Sequence, residues 1–263
     1  MKKKEVSRHS VQMLPSNNLC DLVTYEVENY GPADFVENIQ AGNGQFRRER
    51  SLMPFQYLDR RADSFKWELY GQQVGEIKGV VNAFVFNFHM WRKEGKGLYI
   101  FSGTKGSGKT LLACCLANEL MERLDICVKF VSIPELLEMT KDSYKDYSKR
   151  EDLDGIRMAE LLIIDDIGVE MKKEWVDSVL FRLKDWRYTG KRVTIFTSNI
   201  DIDSLKLDDR IIDRIFDMCI PLHLPEVSVR RKLAEEKNNF FTRDAVKENA
   251  LTRAATLMGA NNQ

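Results

Sequence analysis

One glycine-rich stretch, GTKGSGKT at residues 103–110, constrains the fold more than any other part of this 263-residue chain. It matches the pattern G-x-x-x-x-G-K-[ST] and lies between an apolar run, LYIFS, and a segment of helical period. Glycines allow backbone N–H groups to surround an anion without Cβ clashes, and the N-terminus of the helix adds a partial positive charge. The stretch therefore predicts a phosphate-binding loop between a strand and a helix.

We expect this loop to bind the phosphates of a nucleoside triphosphate, ATP. Lys109 would reach the β and γ phosphates, and the hydroxyl of Thr110 would bind Mg²⁺. The residues predicted to contact the nucleotide are Gly103, Thr104, Lys105, Gly106, Ser107, Gly108, Lys109, Thr110 and Leu111.

Two other apolar runs end in polar side chains. LLIIDD ends in two adjacent carboxylates, Asp165 and Asp166, and TIFTSN ends in Asn199. Asp165 is predicted to complete the metal site with Thr110. Asp166 is predicted to orient and deprotonate an attacking water, and Asn199 to hydrogen-bond the same water or the γ-phosphate. Without the loop, the same residues would be ordinary solvated strand ends.

From about residue 98 onward, short apolar or β-branched runs alternate with longer segments of helical period. This alternation predicts an α/β fold with a five-stranded parallel sheet flanked by helices. The strand candidates are LYIFSG, CVKFVS, LLIIDD, VTIFTSN and IPLHLP, and the helix candidates are residues 109–124, 133–147 and 174–190. A further run, VVNAFVFNFHMW at 80–91, predicts a half-buried helix that is too short to span a membrane, which takes about 20 residues.

Charge and cysteine content restrict the class of protein. The 40 basic and 40 acidic residues cancel, so any binding to nucleic acid would depend on a local patch. The five cysteines form no C-x-x-C pair, which favours reduced thiols over a disulfide framework or a zinc site. The basic start MKKKEVSRHSVQML is followed by no apolar run, so we expect no signal peptide and a cytoplasmic location.

The ordered set of motifs resembles the AAA+ ATPases of the DnaC/DnaI helicase-loader and IstB transposition-helper group. The resemblance covers about residues 52–235 and includes MPFQYLDRRADSFKW, the phosphate-binding loop, LLIIDDIGVE, DWRYTGKRVTIFTSN, and LDDRIIDRIFD followed by SVRRK. It implies a P-loop NTPase fold with an AAA+ core and a reduced or absent lid. It also implies a slow, partner-stimulated hydrolysis of ATP to ADP and phosphate, with Mg²⁺.

The resemblance assigns roles to the polar strand ends. Asp165 is identified as the Walker B metal carboxylate, Asp166 takes the place of the catalytic acidic residue, and Asn199 matches sensor 1. Asp166 stands where AAA+ proteins usually have glutamate, and its side chain is one methylene shorter.

Two arginines receive roles from the same resemblance. Arg214 in RIIDR matches the arginine finger, and Arg230 in SVRRK is similar to sensor 2. Arg210 and Arg231 are the adjacent alternatives.

The implied function is the loading of a DnaB-type replicative hexameric helicase onto single-stranded DNA by an ATP-dependent homo-oligomer. Two alternatives remain open: an IstB-like transposition helper that assembles on duplex DNA, and a nucleotide-dependent scaffold that binds no DNA. The expected organisation is a partly disordered or partner-binding N-terminal arm at 1–50, an AAA+ domain at 51–238 and a helical tail at 239–263.

The segment MTKDSYKDYSKR is the first candidate for contact with single-stranded DNA. Lys141 and Lys145 could follow phosphates, and the ring of Tyr144 could stack on a base. A solvated amphipathic helix is the alternative interpretation. The basic segment RRER, which contains Arg47, is the next candidate for a DNA contact.

Overall fold

The computed structural model describes four stretches of the chain, residues 44–71, 74–146, 150–168 and 174–243. Most of the predicted arm and most of the predicted tail lie outside these residues, so the two domain boundaries stay predictions. Within the four stretches, no helix is long and apolar enough to cross a membrane.

A five-stranded parallel sheet forms the centre of the fold, which confirms the predicted fold class. The strands lie side by side in the order β2-β3-β4-β1-β5, and every neighbouring pair is parallel. Their bounds are β1 Gly97–Phe101, β2 Val128–Ser132, β3 Leu161–Ile167, β4 Val193–Ser198 and β5 Cys219–His223. Each strand overlaps one of the five predicted runs.

Helices cover both faces of the sheet. They are α1 at 44–49, α2 Gly75–Phe86, α3 Phe88–Glu94, α4 Lys109–Arg123, α5 Ile133–Lys145, α6 Arg150–Met158, α7 Glu174–Thr189, α8 Asp209–Met218 and α9 at 229–243. The predicted helices at 109–124, 133–147 and 174–190 correspond to α4, α5 and α7. Helices α6 and α8 were not predicted.

The apolar run at 80–91, predicted as one helix, is divided between α2 and α3 at Asn87. The break allows two rings of α3 to pack on Phe84 of α2, since the ring centres of Phe88 and Trp91 lie 5.5 and 5.1 Å from that of Phe84. The indole N–H of Trp91 also donates to the carbonyl oxygen of Ala83 at the end of α2. The aromatic rings of α2 and α3 therefore pack together across the break at Asn87.

The sheet separates two apolar cores, because successive strand side chains point to opposite faces. Leu98 and Ile100 of β1 face the core that contains α2, α3 and α4, whereas Tyr99 faces the core that contains α5 to α8. In α4, every residue from 112 to 121 is buried, so the helix predicted at 109–124 is enclosed on all sides. This enclosure fixes the helix that begins at the phosphate-binding loop.

The basic segment before residue 51 packs on the end of α4. Arg47 donates to the carbonyl oxygen of Met121 and pairs with Asp125 at 2.9 Å, and Arg48 pairs with Glu122 at 2.7 Å. These intramolecular contacts weigh against RRER as a DNA-binding patch.

A buried arginine joins α6 to the sheet. Arg187 of α7, which is 1% exposed, donates to the carbonyl oxygens of Ile156, Arg157 and Ala159 at the end of α6. It also donates to the hydroxyl of Thr194 in β4 at 2.9 Å. Carbonyls at a helix C-terminus lack partners within the helix, and a cation is favourable there. Arg187 therefore fixes the end of α6, the helix that precedes β3.

Candidate nucleotide-binding site

The predicted phosphate-binding loop connects β1 to α4. Gly106 and Gly108 have φ angles of 79° and 94°, in the left-handed region that glycine adopts most readily. A Cβ atom on Gly108 would come within 2.7 Å of the hydroxyl oxygen of Tyr70. The same hydroxyl donates a hydrogen bond to the carbonyl oxygen of Ser107. A side chain at Gly108 is thus excluded by both backbone angle and space.

Three aromatic side chains support the loop from the segment that precedes the sheet. Phe65, Trp67 and Tyr70 are buried, and the ring centre of Phe65 lies 4.5 Å from that of Trp67 and 5.8 Å from that of Tyr70. Burial raises the pKa of Tyr70, so its phenol stays protonated and can donate to the loop. Sequence reasoning missed this role, although the three rings stand close together in DSFKWELY.

The ammonium group of Lys109 is held by oxygen atoms of the loop. Nζ lies 3.2 Å from the carbonyl oxygen of Ser102, 3.3 Å from that of Thr104 and 3.2 Å from the hydroxyl of Ser107. Burial lowers the pKa of Lys109, and nearby carboxylates, of which Asp166 acts most strongly, oppose that shift. The side chain is therefore oriented within the loop, as its predicted role requires.

Asp165 at the end of β3 is connected to the loop by a hydroxyl group. Its Oδ1 accepts hydrogen bonds from Thr110 Oγ1 at 2.8 Å and from Thr197 Oγ1 at 2.6 Å. Burial and the charge of Asp166 raise the pKa of Asp165, and the two hydroxyl donors oppose the increase. Carboxylate and hydroxyl oxygens are ligands that Mg²⁺ prefers, so Thr110 and Asp165 fit the predicted metal site.

The end of β3 is irregular at Asp166, and its side chain is turned towards Asn199. The register between β3 and β4 shifts between Ile164 and Ile167, and Asp166 has a φ angle of 56°. Aspartate is one of the few residues that adopt left-handed angles without large strain. The Asp166 side chain is exposed, and Asn199 Nδ2 lies 3.4 Å from its Oδ1. The structure thus places the predicted base next to the predicted sensor.

Thr197 was not predicted, yet it contacts both aspartates. Besides its hydrogen bond to Asp165, its hydroxyl accepts one from the backbone N–H of Asp166 at 3.0 Å. It stands two residues before Asn199, on the strand adjacent to β3. Its position two residues before Asn199 is the sequence feature that could have pointed to it. Its contacts are with β3, so they are visible only once the two strands are paired.

The connection between β5 and α9 and the first turn of α9 both contact the loop. The N–H of Arg230 donates to the carbonyl oxygen of Gly106 at 3.0 Å, and a Cβ on Gly106 would lie 2.9 Å from that of Arg230. The N–H of Arg231 instead lies 3.4 Å from the hydroxyl of Ser228. Of the two arginine candidates, Arg230 is therefore the one in contact with the loop.

Glu226, also in this connection, was not among the predicted residues. Its carboxylate accepts hydrogen bonds from the backbone N–H groups of Gly103 at 2.8 Å and Thr104 at 2.5 Å. Burial acts to raise the pKa of Glu226, but hydrogen bonds from Thr104, His223 and Gly103 outweigh it and hold the pKa at about 2. The start of the loop therefore carries a carboxylate that stays ionised at neutral pH.

The remaining predicted residues lie in different places. Leu111 is half-buried in the first turn of α4, and Lys105 is exposed in the loop. Arg214 lies on α8 with its guanidinium carbon 4.1 Å from the ring centre of Tyr188, so the structure does not bring it to the loop of the same chain. The alternative, Arg210, is bound to Asp208 through two hydrogen bonds of 3.0 and 3.1 Å.

A family model described as IstB-like ATP binding protein matches residues 91–237, which is more than half of the chain. The chain belongs to this family. The matched range contains the phosphate-binding loop, both aspartates, Asn199, Arg214 and Arg230. The site described above therefore lies within the part of the chain that matches the IstB-like ATP-binding family.

Named relatives of this IstB-like protein are replicative helicase loaders. The chain is 36% identical over 114 residues to the replicative helicase loader DnaI of Bacillus subtilis (strain 168), a match that covers 43% of this chain and 36% of the relative. It is 29% identical over 121 residues to the replicative helicase loader DnaC of Escherichia coli (strain K12), which covers 44% and 49%. The matched part thus spans between a third and a half of these relatives.

A solved structure agrees with the IstB-like assignment. The crystal structure of DnaI has a TM-score of 0.56 and 30% sequence identity, and the match covers 65% of this chain and 94% of that one. The resemblance predicted from the motifs is confirmed by these matches.

The segment predicted to contact DNA belongs to α5, which packs on the opposite face of the sheet from α4. Tyr144 near the end of α5 is 61% exposed, and its hydroxyl oxygen lies 3.4 Å from Arg182 Nη1. Lys141 lies over the ring of Trp175 at 5.1 Å, and Lys145 Nζ lies 3.8 Å from Asp142. The contact of these three residues with single-stranded DNA stays a prediction.

Asp165→Asn is expected to stabilise the nucleotide-free protein. The pKa of Asp165 is raised in the folded state, so its ionised form opposes folding above its unfolded pKa, and a neutral amide removes that opposition. The unfolding midpoint at pH 7 should rise by roughly 2–4 °C, the shift that about 1 kcal/mol produces in a domain of this size. Added Mg²⁺ and ATP should stabilise the parent but not the variant.

Thermal unfolding of the two proteins, with and without Mg²⁺ and ATP, measures both effects. The exposed carboxylate of Asp59 provides the control, and Asp59→Asn should change neither quantity. A lower midpoint for nucleotide-free Asp165→Asn would contradict the account of the partly buried Asp165 carboxylate.

Proposed function

We propose that the protein is an ATP-dependent loader that places a replicative hexameric helicase on single-stranded DNA. The observation that carries the proposal is the Thr110–Asp165 hydrogen bond, which joins the phosphate-binding loop to a carboxylate suited to Mg²⁺. The names of the relatives support the helicase as the partner, since both are replicative helicase loaders.

Each residue of the site has a defined part in this proposal. Lys109 and the loop N–H groups bind the β and γ phosphates, and Thr110 with Asp165 would hold Mg²⁺, which neutralises phosphate charge. Asp166 accepts a proton from the attacking water, and Asn199 orients that water. Because the Asp166 side chain is short and exposed, we expect slow hydrolysis that a partner accelerates.

Asp166→Asn should leave binding of Mg²⁺ and ATP nearly unchanged and slow hydrolysis by about 10²-fold or more, because the amide cannot accept the proton. Lys109→Ala should abolish binding, because it removes the cation that meets the phosphates. Equilibrium binding of a labelled ATP analogue and single-turnover phosphate release separate the two effects. Weakened binding with normal turnover per bound ATP in Asp166→Asn would reverse the roles of Asp165 and Asp166.

Arg214 is proposed to act on ATP bound by a neighbouring subunit, in a homo-oligomer that ATP promotes. Its place on α8, over the ring of Tyr188, supports action between subunits, and the exposed ring of Phe216 on the same helix suits an interface. An arginine finger of this kind contributes roughly 10³-fold or more in rate.

Mixing Arg214→Ala with Lys109→Ala should restore some hydrolysis, because some interfaces then combine an intact loop with an intact finger. No recovery in demonstrated mixed oligomers would contradict this role.

Single-stranded DNA is proposed to bind the surface formed by α5, α6 and α7. Tyr144 stands at the edge of a cavity of about 510 Å³ whose lining includes Arg150, Arg157 and Arg182. Arginines can pair with phosphates, and an exposed tyrosine ring can stack on a base. These three arginines support DNA binding in a chain with zero net charge, although Asp154, which pairs with Arg157 at 3.2 Å, lines the same cavity.

Tyr144→Ala should weaken ATP-dependent binding to single-stranded DNA by roughly tenfold or more, because one stacked ring contributes about 1–3 kcal/mol. Tyr144→Phe keeps the ring but loses the contact with Arg182, so it should bind nearly as tightly as the parent. Fluorescence anisotropy at matched salt measures the affinity, and Phe55→Ala removes an exposed ring elsewhere as a control. Equal affinity of Tyr144→Ala and the parent would exclude this contact.

A second candidate is the transposition helper that assembles on duplex DNA, which the motifs also resemble; the IstB name in the family description is consistent with it. The preferred nucleic acid distinguishes the two candidates, since the loader should prefer single strands and the helper duplex. A scaffold would bind neither.

Capture of a replicative helicase tests the proposal directly. The parent protein should retain a hexameric replicative helicase during co-purification, and ATP should change the amount retained. Lys109→Ala should remove the response to ATP. Absence of helicase from every nucleotide condition would contradict the loader proposal.

A further inference from the structure

We propose that Glu226 is a positioning residue of the nucleotide site: its carboxylate anchors the start of the phosphate-binding loop to the connection between β5 and α9, and thereby holds Arg230 over the loop. The proposal depends on the proposed function for the role of Arg230 in binding a triphosphate. The anchor itself follows from contacts within the chain.

Both carboxylate oxygens of Glu226 are used. Oε1 accepts from the N–H of Gly103 at 2.8 Å and Oε2 from the N–H of Thr104 at 2.5 Å. Hydrogen bonds of an ionised acceptor are about twice as strong as neutral ones. The imidazole of His223, 2.9 Å from Oε1, stacks on the ring of Phe101 at 4.7 Å. Glu226 is therefore held from the end of the sheet and in turn holds the loop.

The first turn of α9, which follows this connection directly, contacts the loop at a second point. The N–H of Arg230 donates to the carbonyl oxygen of Gly106, three residues beyond Gly103. Just before the first of these points, the N–H of Leu224 donates to the carbonyl oxygen of Phe101 at 2.8 Å. The Glu226 and Arg230 contacts together fix this segment relative to the loop. Loss of the Glu226 contact should therefore weaken the Arg230 contact.

The two N–H groups bound by Glu226 belong to the first residues of the motif. The motif places Lys109 and Thr110 at its other end, where the helix N-terminus meets the phosphates. Glu226 thus occupies the N–H groups of Gly103 and Thr104, two residues predicted to contact the nucleotide, and leaves the N–H groups of the later loop residues for it. This division favours a positioning role over competition with ATP.

The charge of Glu226 also repels a triphosphate, which opposes the anchoring effect. The side chain is 47% exposed, so water and salt screen its action on a ligand that it does not contact. Its two hydrogen bonds to the loop are direct and short. In addition, its charge helps to keep Lys109 protonated. The anchoring effect should therefore dominate, and removal of the carboxylate should weaken binding.

The first test measures the dissociation constant of a slowly hydrolysed ATP analogue with Mg²⁺. Glu226→Ala should raise it roughly tenfold, the scale of a lost hydrogen bond to a charged group. Glu226→Gln, which keeps one acceptor oxygen, should have an intermediate effect. Glu236→Ala removes an exposed carboxylate from α9 and should have none. An unchanged or lower constant for Glu226→Ala would overturn the proposal.

A double-mutant cycle tests the coupling to Arg230. Arg230→Ala should weaken binding roughly tenfold in the parent but less than about threefold in Glu226→Ala, because Arg230 is then no longer held over the loop. Equal effects in both backgrounds would overturn the coupling. If Arg230→Ala has no effect in the parent, the proposed role of Arg230 fails, and Glu226→Ala alone still decides whether the anchor matters.

Hydrogen exchange of the nucleotide-free protein tests the anchor without any assumption about function. In Glu226→Ala, peptides that cover residues 103–108 should exchange faster, whereas those of β3 and α4 should not, and Glu236→Ala should match the parent. Unchanged exchange in the loop would overturn the anchor. A parent protein that binds no nucleotide would instead overturn the proposed function and leave this result interpretable.

Discussion

The carboxylate of Asp165 is the point on which the arrangement of the site depends. It accepts hydrogen bonds from Thr110 at the end of the loop and from Thr197 on β4. The strand order places β4 between β1 and β3, so the end of β4 lies between the loop and Asp165. A small side chain with a hydroxyl suits this place, because Thr197 is fully buried and still contacts both aspartates.

The irregular end of β3 explains how two adjacent carboxylates serve one site. In a regular strand, neighbouring side chains point to opposite faces. Here the register shift and the left-handed angle of Asp166 turn it towards Asn199, while Asp165 faces Thr110. The geometry separates a metal-binding carboxylate from one exposed to water, although the residues are consecutive.

The sequence predicted those features that depend on local pattern. The five strands, the loop and the polar strand ends follow from apolar period and from spacing along the chain. They could therefore be predicted without knowledge of the tertiary contacts. Thr197 and Glu226 act through contacts with segments far away in the chain, and α6 is fixed by the buried guanidinium of Arg187. The break at Asn87 depends on packing of rings from two helices. Such features require knowledge of the tertiary contacts.

The loop is held by groups from three parts of the chain: Tyr70 before the sheet, Asp165 within it, and the Glu226–Arg230 connection after it. The proposed ATP site therefore contacts residues before, within and after the sheet. The most direct test is retention of a hexameric replicative helicase on closed circular single-stranded DNA, which offers no end for threading. The account predicts that retention requires this protein and ATP and is lost with Lys109→Ala; equal retention without the protein, or with Lys109→Ala, would contradict it.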